Sequence, residues 1–172
     1  ELILYNGSSW STGGAVNTAR MNLYGLGIQN AALMTGGRTP TAVNCVEEYD
    51  GSSYSAISGL INSVYAHGAT GTTDSAIVFG GYNSTFYYNT EAWNGTSWSA
   101  DNLLITPRSY INSSTGAASA ALAFAGVTPS YVPNTELFSA VCSTTLCSTL
   151  PVWSSVGALI TSRRSIGGAG TQ

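Results

Sequence analysis

Short apolar runs alternate with polar turns along the whole chain, and no run keeps the 3.6-residue period of an amphipathic helix. Residues 76–98 show the unit most clearly: an apolar run ends in Gly80-Gly81, a polar loop follows, and two short strands flank Asn94-Gly95. Asn-Gly between short strands indicates a hairpin, and we expect a type I′ turn in which both residues have positive φ. The pattern therefore predicts an all-β protein with essentially no helix.

The same unit recurs with a period of about 44 residues, which is the strongest organising signal in the chain. The aromatic residues that close the hairpins are 44, 44 and 55 residues apart, and the last interval is longer because of an insertion around Cys142 and Cys147. A doublet of small residues keeps the same phase as Gly36-Gly37, Gly80-Gly81 and Ala125-Gly126. The four closing aromatics are Trp10, Tyr54, Trp98 and Trp153, and the residues ten positions later are Arg20, Val64, Arg108 and Arg163.

Each period is predicted to contain four short strands, named a to d in chain order. Strand a is expected at residues 21–27, 65–70 and 110–114, and strand b at 31–35, 76–79 and 120–124. Strands c and d form the hairpins, as at 47–49 and 52–54, and 136–138 is the third strand c. We expect residues 1–172 to form one repeat domain of about four units, with the last unit incomplete and split between strand a at 163–170 and strands c and d at 3–10. Since unpaired sheet edges are rarely left open, we expect a neighbouring subunit or more of the same polypeptide to supply the missing strand.

Composition narrows the range of partners. Only 8% of the 172 residues are charged, the formal net charge is −3, and the cations are five arginines with no lysine. Binding to a phosphate backbone or to an anionic membrane surface needs clustered cations, so neither partner is expected. The longest apolar run, 117–127, is too short to cross a bilayer as a helix, so we expect no membrane span.

An arginine before strand a, an apolar strand b ending in Gly-Gly, and an aromatic in each of strands c and d make a pattern that resembles the kelch-like repeats of β-propellers. The chain departs from it at Val64, Ala125 and Tyr54. The Ser/Thr-rich form also resembles repeats of phage structural proteins and environmental surface proteins. The resemblance implies an all-β propeller of four-stranded blades in which the aromatics of strands c and d fill the space between blades. The strand-c aromatics are Tyr5, Tyr49, Trp93 and Phe138.

This resemblance implies a non-enzymatic structural or adhesive repeat protein that is extracellular, at a cell surface or on a virion. Such a protein would be a phage fibre or tail component or a surface-filament subunit, and it would contact other proteins or host glycans. The alternative is a secreted lectin-like or carbohydrate-active propeller. Assembly state distinguishes the two, because the first should form a polymer or a particle and the second a sugar-binding monomer.

The candidate chemistry is sparse. Cys142 and Cys147 are close in sequence in a Ser/Thr-rich insertion, and we expect a disulfide that closes an exposed loop, while Cys45 is expected to be a half-buried small hydrophobe. With a lone His67 we predict no metal site, no cofactor and no catalytic residue. Two repeat-equivalent sets are expected to be structural: Arg20, Arg108 and Arg163, binding backbone carbonyls of the next blade, and Glu47, Glu91 and Glu136 on strand c.

Surface positions supply the remaining candidates. Exposed aromatics in polar loops suit glycan or protein contacts, so a binding loop is expected at Phe86, Tyr87, Tyr88 and Tyr131. Four asparagines match the N-glycosylation pattern, namely Asn6, Asn83, Asn94 and Asn112. At two of them, Asn6 and Asn94, the Asn-Gly turn already explains the residue.

Overall fold

The computed structural model describes residues 3–111, 114–143 and 146–157, and every regular element in them is a β-strand. The strands follow the predicted period, with two further two-residue pairs inside the b–c loops. In chain order they are β1 (Ile3–Tyr5), β2 (Trp10–Thr12), β3 (Tyr24–Ile28), β4 (Ala31–Thr35), β5 (Arg38–Thr39), β6 (Thr41–Ala42), β7 (Val46–Tyr49), β8 (Tyr54–Ile57), β9 (Gly68–Gly71), β10 (Ala76–Phe79), β11 (Thr90–Trp93), β12 (Trp98–Asp101), β13 (Ser114–Ala117), β14 (Ala120–Phe124), β15 (Val127–Thr128), β16 (Ser130–Tyr131), β17 (Thr135–Ser143) and β18 (Leu146–Val156).

Three antiparallel sheets of four strands each follow the β1–β2 hairpin. The first sheet is β3-β4-β7-β8, the second is β9-β10-β11-β12 and the third is β13-β14-β17-β18, so each is a meander of the predicted strands a to d. Neighbouring sheets contact each other through their strands a, with β9 lying between β3 and β13. The sheets formed by residues 3–111, 114–143 and 146–157 do not close into a barrel or a ring, so the propeller remains a prediction.

Paired aromatics join strands c and d in every repeat. The ring centroids are 5.0 Å apart for Tyr5–Trp10, 4.8 Å for Tyr49–Tyr54, 5.2 Å for Trp93–Trp98 and 5.0 Å for Phe138–Trp153. The strand-d tryptophan also reaches the preceding sheet, since the Trp98 indole donates to the Ser58 carbonyl and that of Trp153 to the Thr90 hydroxyl. The prediction that tryptophans form a core between sheets is confirmed for Trp93, Trp98 and Trp153. It is wrong for Trp10, which has no preceding sheet among the described residues and is 69% exposed.

The small-residue doublets join one sheet to the next, as their positions suggested. The Gly37 N–H donates to the Val64 carbonyl at 2.9 Å, and the Gly81 N–H donates to the Arg108 carbonyl at 2.8 Å. Both glycines have φ near +105°. A Cβ on the preceding Gly36 would lie 2.6 Å from the Val64 carbonyl oxygen, so the close approach of the two chain segments requires glycine there.

Strand a begins about three residues later than predicted. Asn22, Ala66 and Tyr110, spaced 44 residues apart, adopt φ of 54°, 53° and 55°, which interrupts an extended strand. At the same positions the Ala66 N–H donates to the Asn22 carbonyl at 2.9 Å, and the Tyr110 N–H donates to the Ala66 carbonyl at 2.6 Å. We call this series the junction ladder, because it links the three sheets in sequence through backbone atoms alone.

The predicted type I′ turn is wrong. Trp93 and Trp98 form the last pair of their hairpin, so the loop has four residues, and only Gly95 of the Asn-Gly pair has positive φ. The Asn94 Oδ1 instead accepts the N–H groups of Thr96 and Ser97, both at 2.9 Å. An asparagine that caps its own turn does not need the left-handed conformation.

The insertion around the two cysteines was expected to be a loop, and this is also wrong. β17 and β18 continue through it as a long hairpin with one irregularity between Ala140 and Cys142. Cys142 and Cys147 are direct partners in the antiparallel register. Their side chains and the predicted strand at 163–170 lie outside the described part of the chain.

Candidate binding face

The b–c loops and the d–a loops lie against each other. The Leu60 N–H donates to the Asn44 carbonyl and the Leu104 N–H to the Tyr88 carbonyl, both at 2.8 Å. The Arg108 N–H donates to the Tyr87 carbonyl at 3.0 Å. The two kinds of loop therefore form one face of the repeat array, as predicted.

On this face each repeat brings three chain segments side by side, a feature that sequence analysis missed. The residue that follows the small doublet occupies the centre. It pairs on one side with a residue just before strand a, and on the other side with a residue four positions after itself in the sequence. We call the resulting grid the loop ladder: Met21, Arg38 and Ala42 in the first repeat, Tyr65, Tyr82 and Phe86 in the second, and Ser109, Val127 and Tyr131 in the third.

Side chains of the first two repeats make a continuous row across the loop ladder. The Arg38 guanidinium lies over the Tyr65 ring, 5.2 Å from its centroid. The Tyr65 and Tyr82 rings meet edge to face at 5.6 Å, and the Tyr82 and Phe86 rings do so at 5.2 Å. All four side chains are half-buried, so each keeps part of its surface open to a ligand.

The four predicted binding-loop aromatics fall into two groups. Tyr88 is 47% exposed and Tyr131 is 54% exposed, whereas Phe86 and Tyr87 are half-buried. Phe86 and Tyr131 occupy the same position of the loop ladder in successive repeats. Tyr87 packs against the core and its backbone joins the two loops, so we assign it to the scaffold.

The strand-c glutamates form a buried carboxylate clamp in each repeat. Glu136 accepts the N–H groups of Ile105 and Thr106 and an ion pair from Arg108. Glu47 does the same with Asn17, Thr18 and Arg20. Because these donors bind the preceding d–a loop to strand c, the structural role predicted for the glutamates is confirmed.

Two details of the clamp differ from expectation. Arg20 and Arg108 do bind carbonyls, but those of their own repeat (Met34, and Ala125 with Asn134), so the predicted contact with the next repeat is wrong. Burial raises the pKa of Glu47, but hydrogen bonds from Arg20, Asn17 and Thr18 outweigh it, and the pKa lies below its ordinary value. Arg163 lies outside the described residues.

The second repeat replaces the arginine of the clamp by Val64 and keeps the glutamate. Glu91 is buried, with an exposed fraction of 3%, and accepts the N–H groups of Ile61 and Asn62. The Asn62 side-chain amide supplies a third hydrogen bond at 2.9 Å. An asparagine two positions before the missing arginine thus takes over its role as donor.

His67 is buried between the first two sheets. Its Nε2 lies 2.9 Å from the Thr35 hydroxyl oxygen, and the same hydroxyl lies 3.3 Å from the Tyr24 carbonyl oxygen. Burial lowers the pKa of His67 to about 3. Nδ1 has no hydrogen-bond partner in the described part of the chain. Residues 23 and 111, one period away on either side, are Leu and Ile.

The remaining candidates receive partial tests. Cys45 is an unpaired, half-buried thiol, as predicted, and the described residues contain no group of three or more His, Cys, Asp or Glu side chains that would hold a metal ion. The Cys142–Cys147 disulfide remains a prediction. Directly paired residues of antiparallel strands have Cα atoms about 4.5–5.5 Å apart, which suits a disulfide.

Turn geometry accounts for two of the four candidate glycosylation asparagines. The Oδ1 atoms of Asn6 and Asn94 each accept two backbone N–H groups of their turns, and both residues are exposed. Asp50 makes the same two bonds at the equivalent position without matching the glycosylation pattern. Asn83 is half-buried, and Asn112 lies outside the described residues. Glycosylation itself stays a prediction.

No protein-family model matches this sequence, and no curated protein matches it. Among the described residues there is no helix long and apolar enough to span a membrane. Two surfaces distinguish the described part of the repeat array: the loop ladder and the exposed apolar face of the β1–β2 hairpin around Trp10.

Proposed function

We propose that this chain forms blades of a kelch-like β-propeller with a non-enzymatic structural or adhesive role at an extracellular surface or on a virion. In this proposal the three sheets are blades, and the β1–β2 hairpin provides strands c and d of a further blade. Phage fibre or tail components and surface-filament subunits are the classes of protein that fit. The support comes from the 44-residue meander, the contact between successive strands a and the buried strand-d tryptophans.

One observation carries the structural role: the hairpin has the strand-d aromatic of a blade, and no sheet formed by the described residues covers it. Trp98 and Trp153 are 8% and 7% exposed because each packs on the preceding sheet, whereas Trp10 is 69% exposed. Ile3 and Tyr5 beside it are also exposed. Apolar surface of this kind is stabilised by covering it, so we propose that another blade docks there, supplied by the same polypeptide or by a second copy.

The contact made by the hairpin on its other side supports the same reading. β1 lies beside the first sheet across an apolar groove of about 350 Å³, lined by Ile3, Tyr5, Ile28 and Met34 among others. A side-chain hydrogen bond crosses it from Gln29 to the Tyr5 carbonyl. Strands a and b of a complete blade would extend the hairpin sheet at β1, and strand addition from a neighbour would provide them.

Sedimentation velocity over a range of protein concentrations tests the proposal. We expect the protein to self-associate, with a sedimentation coefficient that rises with concentration, and Trp10→Ser to reduce this association at least about ten-fold. Tyr88→Ser also removes an exposed aromatic side chain, but from the loop face instead of the hairpin, and should leave association unchanged. A monodisperse monomer in which Trp10 is protected from an aqueous quencher would contradict association through this face.

A further inference from the structure

The loop ladder combines a backbone that repeats with side chains that do not. The same pairings recur in all three repeats, yet the central position is Arg38, Tyr82 and Val127, and the third is Ala42, Phe86 and Tyr131. In the clamp, by contrast, glutamate is kept in every repeat. Positions that vary on a constant frame suit recognition of a ligand, and those that repeat suit support of the frame.

Arg38 differs from the clamp arginines. Arg20 and Arg108 are buried and paired with Glu47 and Glu136. The guanidinium of Arg38 forms no ion pair and no hydrogen bond with any residue in 3–111, 114–143 or 146–157, and its one contact of this kind is the face of Tyr65. A guanidinium has donors in a planar fork that matches the two oxygens of a carboxylate, and the Arg38 guanidinium lies over the Tyr65 ring without a carboxylate partner among the described residues.

The surroundings of Arg38 indicate which kind of carboxylate fits. Backbone groups of the ladder already bond one another, as in the reciprocal Met21–Arg38 and Tyr65–Tyr82 pairs, so a peptide cannot add to it as a strand. Arg38 is the one described cation outside an ion pair, and one such cation in a protein of net charge −3 is too little for a polyphosphate. Tyr82 and Phe86 continue the row as two half-buried rings that meet edge to face, and the loop tips carry the hydroxyls of Thr39, Ser84 and Thr85.

We propose that the loop ladder of the first two repeats binds an acidic saccharide, with Arg38 pairing with the carboxylate of a uronic acid unit and the Phe86 ring, further along the row, stacking against the apolar face of a neighbouring sugar unit. The inference rests on the adhesive role proposed above and names its ligand class. Binding at the loop face and association through Trp10 use different surfaces. Ligand titrations on Trp10→Ser therefore test the saccharide site even if the assembly proposal fails.

The test is calorimetric titration with a short oligogalacturonate, its methyl-esterified form and an oligoglutamate peptide of equal charge. We expect the acidic oligosaccharide to bind at least about ten-fold more tightly than the ester, because the ester cannot pair with a guanidinium. Arg38→Gln should abolish that difference, and Arg38→Lys should retain part of it. Phe86→Ala should weaken acid and ester alike, since it removes stacking and leaves the charge pair.

Ile61→Ala is the control, because Ile61 is an apolar residue on a d–a loop, 56% exposed, that lies outside the loop ladder. Its binding should equal that of the parent protein, and unchanged circular dichroism of each variant shows that the fold is kept. Equal affinity for acid and ester, or no oligogalacturonate binding at millimolar concentration, would overturn the proposal. Tighter binding of oligoglutamate, lost in Arg38→Gln, would also overturn it and assign the site to an acidic peptide.

Discussion

The junction between the first and second sheets and the junction between the second and third sheets have the same backbone contacts and different side chains. Each uses one doublet glycine and one step of the junction ladder, with N–O distances of 2.6–2.9 Å. At the first junction a polar pair, Thr35 and His67, fills the interior. At the second, the equivalent interior is apolar and contains Phe79 and Ile111.

The carboxylate clamps at the two junctions also share their backbone contacts and differ in a side chain. Glu91 is held by the backbone and by Asn62, whereas Glu136 is held by the backbone and by Arg108. The backbone thus fixes how sheets dock, and either a neutral or an ionic set of side chains can satisfy the buried groups that docking creates. If so, the neutral and the ionic set of side chains should be interchangeable between the two junctions.

The largest effect is expected for Arg108→Val, which copies the residue of the first junction into the second. Glu136 keeps its two N–H donors and loses its cation, and removing one partner of a buried ion pair costs about 3–5 kcal/mol of unfolding free energy. Urea denaturation at pH 7 measures it.

Thr106→Asn added to Arg108→Val completes the copy, because Asn62 stands at the equivalent position of the second repeat. We expect the double variant to recover about 1–2 kcal/mol of the loss through one hydrogen bond to a charged group. A double variant no more stable than the single one would show that the two clamps are not interchangeable.

An intermediate effect is expected at the first junction on acidification. The pKa of His67 is about 3 in the folded protein and about 6.5 in an unfolded chain, so below pH 6.5 the unfolded state binds more protons. The contribution of the neutral imidazole to the free energy of unfolding is fully present above pH 6.5. It decreases as the pH falls towards 3, and about 2 kcal/mol of it is lost at pH 5. Urea denaturation at pH 7, 6 and 5 follows it.

His67→Leu is the control, since leucine occupies the equivalent position of the first repeat as Leu23. The carboxylates titrate in both proteins, so the difference between the two pH curves isolates the imidazole. Curves that stay parallel from pH 7 to pH 5 would mean that His67 is not kept neutral by burial.

The smallest effects are expected from removing the two indole hydrogen bonds, one at a time. The Trp153 bond to the Thr90 hydroxyl is buried, and the Trp98 bond to the Ser58 carbonyl is partly buried. Replacement by phenylalanine removes each bond while keeping an aromatic ring. We expect Trp153→Phe to cost about 1–3 kcal/mol and Trp98→Phe about 0.5–1.5 kcal/mol in thermal or urea unfolding. The reverse order would contradict the assigned burial of the two bonds.

The repeat was predictable because its aromatic residues and small-residue doublets recur at regular intervals in the sequence. Aromatic anchors 44 residues apart fixed the number and order of strands, and the glycine doublets marked the close contacts between sheets. The predicted turn type was wrong at Asn94 because the dipeptide Asn-Gly fits two different turns. In one the asparagine itself has positive φ, and in the other its side chain accepts backbone N–H groups of the turn, as it does here. The sequence therefore indicated where the chain turns but not how.

The loop ladder and the His67–Thr35 pair could not be predicted for a different reason. Arg38 meets Tyr65, and Thr35 meets His67, only after two sheets dock, and their separations in sequence belong to no local pattern. A signal did exist in the variation between repeats. Arg38 and His67 both break a position that is uncharged or apolar in the other described repeats, and such departures mark the residues to examine first.

The junction ladder also bears on how such a protein grows over evolutionary time. Residues 22, 66 and 110 are Asn, Ala and Tyr, yet each docks its unit through main-chain atoms with the same φ. A duplicated stretch of coding sequence one period long would encode a unit that already carries its own attachment point. Array length can then change in single genetic steps, while side chains on the exposed face diverge afterwards, one copy at a time.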